Sequence, residues 1–155
     1  MLSQPDCGWT DFQLEGTKQY SLSYLTDVPM EWLTQAIYGL TNRRPFCVTG
    51  FMEPDTLVCV VCDQHCHILY EYDHDRLLPE ADLPHEYARV GMEQFCKMLH
   101  DDIAHHLEDW TAFDPLLSPS DSKSREYRAR KAQLRKKLAI LAHLLEERAS
   151  FTARK

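Results

Sequence analysis

The sequence predicts an α+β fold: an about five-stranded, mostly antiparallel sheet covered by two amphipathic helices, with a long basic helix near the C-terminal end. Three observations lead there. Two short stretches alternate apolar and polar residues around a glycine. Three further extended stretches follow between residues 46 and 72, the middle one apolar throughout. Two long segments repeat apolar residues at helical spacing.

Residues 10–15 set Thr10, Phe12 and Leu14 against Asp11, Gln13 and Glu15, and residues 19–24 set Tyr20, Leu22 and Tyr24 against Gln19, Ser21 and Ser23. Period-two alternation on both sides of Gly16-Thr17-Lys18 predicts a hairpin. Asp27-Val28-Pro29 then supplies a capping acid and an early helical proline. Met30, Leu33, Ile37 and Leu40 continue at three- and four-residue spacing, which predicts a helix ending near Asn42, before Pro45.

Strands are expected at about 46–52, 56–62 and 66–72, separated by Glu53-Pro54-Asp55 and Asp63-Gln64-His65. Because 56–62 is apolar throughout, it is expected to be central and covered on both faces. From about His85 the pattern predicts one long helix, with Ala88, Met92, Phe95, Leu99, Ile103, Leu107 and Trp110 on its apolar face. Residues 115–124 have linker composition, and Ser118-Pro119-Ser120-Asp121 also reads as a helix start. The expected organisation is an acidic body over 1–114, this linker or helix start, and an amphipathic basic helix over 125–150.

At 155 residues, 44% of them hydrophobic, the chain suffices for one core, which excludes a disordered protein. The first residues carry no basic and apolar leader, and no apolar run reaches membrane-spanning length, so a cytoplasmic protein without membrane segments is expected. The six cysteines are accordingly read as thiols. The formal net charge of -7 is divided: residues 1–122 carry 6 Lys+Arg against 21 Asp+Glu, a net of -15, and residues 123–155 carry 11 against 3, a net of +8. A body this acidic is a poor binder of a phosphate backbone by itself.

The richest local chemistry is Cys59-Val-Val-Cys-Asp-Gln-His-Cys-His67, three thiols and two imidazoles in nine residues. With the loop at 63–65, Cys62 lies opposite Cys66, sharing a face with Val60 and Ile68, while Cys59 and His67 point the other way. A metal would then collect Cys62, Cys66 and His65 and need a fourth ligand from elsewhere; small apolar thiols in a half-buried sheet are the plainer reading. His100-Asp-Asp-Ile-Ala-His-His-Leu-Glu-Asp109 places acids and histidines four apart, which chelates a metal, tunes a histidine as an acid or base or, more simply, makes a solvated helix face. Tyr70, Tyr72, Asp73, His74 and Asp75 end a strand beside a loop, where a site or a solvated turn is expected. GxSxG, P-loop, GxGxxG and HExxH motifs are absent from the sequence, and it holds only five glycines to cradle a phosphate.

The basic helix carries the most weight. Lys123, Arg125, Arg128, Arg130, Lys131, Arg135, Lys136 and Lys137 lie in its first half and Glu146 and Glu147 near its end, the reverse of what the helix dipole favours. Beside them Leu134, Leu138, Leu141 and Leu145 form a stripe that needs burial, along a helix of roughly 39 Å. The charge has three possible partners: the chain's own acidic body, a second copy, or an external anion. The order strand, strand, helix, three strands, helix resembles the layout of small bacterial accessory proteins, including immunity proteins of toxin systems, which implies a fold and a protein partner rather than a chemistry.

The expected function is therefore that of a non-catalytic interaction or accessory protein, immunity-like in layout. Arg128, Lys131, Leu134, Arg135, Leu138, Leu141 and Leu145 are its candidate contacts to a protein partner or a second copy. No catalytic residue, metal ligand or cofactor is assigned. The alternatives are a zinc-binding protein or metal-dependent hydrolase using the Cys/His cluster, and nucleic-acid binding through the basic helix.

Overall fold

Local turn chemistry sets the first hairpin. In the computed structural model, which describes residues 1–71, 79, 82–117, 120 and 123–152, β1 (Trp9–Phe12) pairs with β2 (Tyr20–Ser23) in antiparallel register, with Phe12 opposite Tyr20. Gly16 takes the positive φ of 82° that the turn requires. Thr17 closes the loop with its hydroxyl, which accepts from the Leu14 N–H at 3.1 Å and donates to the Leu14 carbonyl at 3.0 Å.

Helix α1 (Val28–Asn42) starts as its sequence requires: the Asp27 carboxylate caps it by accepting from the Met30 N–H, and Pro29 sits in the first turn. Arg43 ends it in the left-handed conformation. Its buried face presents Trp32, Leu33, Ala36 and Leu40.

β3 (Phe46–Phe51), β4 (Thr56–Val61), β5 (Cys66–Glu71) and β6 (His85–Ala88) then pair in succession, so the six strands lie in chain order and every pair is antiparallel. β2 meets β3 at a single position, Ser23 opposite Phe51, and α1 packs against β3, its Trp32 indole donating to the Thr49 carbonyl at 2.7 Å. The sheet curls until its two ends meet. Glu86 of β6 accepts from the Tyr20 hydroxyl and from the Lys18 N–H, and Lys18 Nζ donates to the Tyr70 hydroxyl.

Three expectations are corrected. First, the sheet has six strands rather than five, because His85–Ala88 is β6 and the helix after it begins only at Met92, behind Gly91. Ala88 faces the core in either conformation, so its spacing to Met92 imitated a helical turn. That helix is also two: α2 (Met92–His105) breaks at His106 before the short α3 (Leu107–Thr111). Second, the β4–β5 register differs by one residue. Cys62 N–H donates to His65 O across a two-residue turn, so Val61, not Cys62, pairs with Cys66. A one-residue slip exchanges faces: Cys59, Val61, Cys66 and Ile68 point inward, and Val60, Cys62 and His67 outward. Third, β4 is covered on one face only, since Leu57, Cys59 and Val61 are buried whereas Val58 and Val60 are half-buried. The last residue expected in β5, Tyr72, and most of the Ser118–Asp121 helix start lie outside the described residues.

α4 (Arg125–Thr152) begins at Ser124, whose hydroxyl accepts from the Tyr127 N–H at 3.0 Å, and packs across α1, α2 and α3. Leu134, Leu138 and Leu141 enter the same core as Trp32, Phe95, Leu99, Ile103 and Trp110. Trp32 stacks on Phe95 at 6.1 Å and meets Phe12 edge-on at 5.2 Å, linking helices to sheet. All of this lies on the concave face of the sheet.

Gly39 tests the closeness of that packing. A Cβ there would lie 2.2 Å from the Phe46 ring. On an open helix face Gly→Ala adds about 1 kcal/mol of stability, but Gly39→Ala is expected to lower it by about 1–3 kcal/mol, as overpacked cores do. Urea unfolding checks the sign.

Candidate functional site

The basic helix is held by the acidic body of its own chain. Arg130, 11% exposed, donates two bonds of 2.7 Å to the Asp27 carboxylate and one each of 3.0 Å to the Thr111 and Phe113 carbonyls, with Asp114 at 3.6 Å. Lys131 pairs with Glu108, Lys137 donates to the Thr34 hydroxyl, and Arg148 bonds Glu93 at 2.6 Å. The Glu108 carboxyl is held below its usual range by hydrogen bonds from Lys131 and Tyr127.

The seven candidate contacts divide accordingly. Leu134, Leu138 and Leu141 are buried in the chain's own core, Leu145 is half-buried against it, and Lys131 is half-buried in its pair with Glu108. Arg128 and Arg135 are exposed.

The thiols diverge. Cys66 points into the core, where its thiol donates to Val90 O at 3.2 Å, while Cys62 points outward and His65 is exposed at the turn. With Cys62 and Cys66 on opposite faces, one ion does not reach both together with His65. Among the described residues no group of three Cys, His, Asp or Glu side chains could hold a metal. A hydrogen bond with Cys66, then burial, pushes the Cys59 thiol up; burial pushes Cys96 up to about 12 and also raises Cys62. These three are kept as thiols at neutral pH, which disfavours nucleophilic chemistry.

The acid and histidine cluster on α2 and α3 is structural in part. Asp102 accepts from the Leu2 N–H at 2.8 Å, and Asp109 from the Gln4 side chain at 3.0 Å, so both anchor the N-terminal segment. The break at His106 turns the intended Asp102–His106 pairing aside, and His106 instead stands 3.9 Å from Asp109. Tyr72, Asp73, His74 and Asp75 lie outside the described residues.

What sequence reading missed is the convex face of the sheet. Cys47, Thr49, Val58, Val60, His67, Leu69, His85 and Tyr87 occupy it, all exposed or half-buried. Tyr87, 62% exposed, stacks on His67 at 4.3 Å, with His85 5.4 Å from His67 and His65 6.1 Å from Tyr87. Nε2 of His67 is buried without a hydrogen-bond partner among the described residues. The period-two pattern of β5 and the unbroken apolar run of β4 contained the signal, but the assignment of both β4 faces to the interior hid it.

The clefts are shallow by comparison. One of about 530 Å³ lies where α1 ends against α2 and α4, lined by Leu40, Arg43, Glu93, Leu144 and Arg148. No helix among the described residues is long and apolar enough to cross a membrane. No protein-family model matches the chain, no curated protein matches its sequence, and no solved structure matches its fold.

Burial, then the neighbouring His85 and His65, hold the His67 imidazole below its ordinary pKa. The unfolded chain takes this proton near pH 6.5 and the folded one resists it, so the corresponding stability is complete above about pH 6.5 and lost as pH falls through the lower folded value. The urea midpoint is expected to drop between about pH 7 and about pH 5, and His67→Phe, which keeps a ring against Tyr87, is expected to flatten that drop.

Proposed function

We propose that the protein is a non-catalytic binding protein, an accessory protein in the sense that immunity proteins are, whose convex sheet face docks a basic protein. The observation that carries this reading is β4, apolar on both faces but covered on one: Val58 and Val60, with Leu69 and Tyr87 beside them, leave an apolar and aromatic patch toward solvent. A centre of this kind with a polar rim is the anatomy of a protein interface, and tyrosine is among the residues that contribute most at such centres. Acids flank it at both strand ends, Glu53 and Asp55 in the β3–β4 turn and Asp63 in the β4–β5 turn. Together with the net charge of -15 over residues 1–122 they favour a cationic partner and speed its approach.

The thiols of Cys59, Cys62 and Cys96, held protonated, and the absence of catalytic motifs from the sequence support binding over catalysis. Protonation of His67, which burial delays to below the ordinary imidazole range, would add positive charge to the patch, so this binding weakens in acid.

The test uses the full chain as bait beside Val60→Lys with Tyr87→Ala, both changes lying on the solvent side of the sheet. Basic proteins retained by the wild type are identified by mass spectrometry, then purified and titrated against both baits. At least about a tenfold loss of affinity is expected from the pair of changes, and a further loss in high salt. Equal binding by the two baits contradicts the reading.

A further inference from the structure

The outward face of α4 has a composition that its own fold does not explain. Opposite the buried leucines, the helix presents Arg125 and Arg128 near its start, Ala132, Lys136, Ala139 and Ile140 along its middle, and His143, Glu146 and Glu147 toward its end, and all nine are exposed. Ile140, at 40%, is one of the large apolar side chains left in solvent. Apart from Glu126 in the first turn, charge of this order opposes the helix dipole. Among the described residues, Arg130, Lys131, Lys137 and Arg148 bond the body, and they lie nearer the buried side. The outer arginines and glutamates meet, among the described residues, only their own helix and its cap, Arg128 donating to the Ser124 carbonyl at 3.3 Å and Glu147 standing 3.5 Å from His143.

We propose that a second copy of this chain docks antiparallel along the outward face of α4. A two-fold axis near residues 137–138 brings Arg128 of each copy to Glu146 and Glu147 of the other, sets Lys136 against the small Ala139, and covers Ile140 on both. A helix of 28 residues, roughly 42 Å long, accommodates that arrangement, and the antiparallel order also opposes the two helix dipoles favourably. A parallel pair would instead align arginines with arginines and glutamates with glutamates. The contact is narrow and rich in charge, so the dimer is salt-sensitive. It is separate from the convex sheet face, and either surface operates without the other.

Sedimentation equilibrium of the full chain tests this with two charge-reversed variants, Arg125→Glu with Arg128→Glu, and Glu146→Lys with Glu147→Lys. Circular dichroism and melting confirm that both fold. The wild type is expected to dimerise at about 100 µM in low salt and to dissociate as salt rises. Each variant alone is expected to be at least about tenfold weaker, and an equimolar mixture of the two to associate again, because one then presents acidic residues at both ends of the face and the other basic residues at both ends. A wild type that stays monomeric overturns the proposal, as do variants that dimerise undiminished. So does low-salt binding of duplex DNA by this face without self-association.

Discussion

The guanidinium of Arg130 is the point on which the helical layer depends. It lies between the start of α1 and the end of α3, and its contacts to Asp27, Asp114 and two main-chain carbonyls occupy a fork of donors that a lysine lacks. Asp27 already caps α1, so one carboxylate sets the first helix and receives the last. Thr111 and Phe113 offer carbonyls left over where α3 stops, a common vacancy at helix ends. The long helix is thereby fixed in position as well as buried.

That contact gives the uneven charge of the sequence a structural meaning. Arg130, Lys131 and Arg148 find acids of the body, and the leucines beside them find its core. The sheet divides in a similar way. Its concave face carries Phe46, Val48, Cys59, Ile68 and the helices, while its convex face keeps valines, histidines and Tyr87. Core burial and solvent exposure are thus assigned to opposite sides of the same strands, and a change on one side need not disturb the other.

Features governed by neighbours in sequence were legible. The hairpin around Gly16, the Asp27 cap with Pro29, and strands β3 to β5 all follow from spacing and turn chemistry. β6 was not, because four residues ending in a buried Ala88 are compatible with the first turn of the helix that follows. The faces of Cys62 and Cys66 turned on whether the β4–β5 turn holds two residues or three, and alternation cannot count a turn. The Arg130–Asp27 contact spans 103 positions, and the bond from Tyr20 to Glu86 spans 66. A single sequence marks such residues as charged without indicating their partners. The leucine stripe was read as needing cover, and the cover turned out to be α1, α2 and α3.

A double-mutant cycle between Arg130 and Asp27 addresses the central contact directly, using Arg130→Met, Asp27→Asn and both together in urea unfolding. The bidentate, partly buried geometry predicts a coupling of about 2 kcal/mol, independent of protein concentration because both partners belong to one chain. A coupling below about 0.5 kcal/mol, or one that appears only at concentrations where copies associate, would contradict the account.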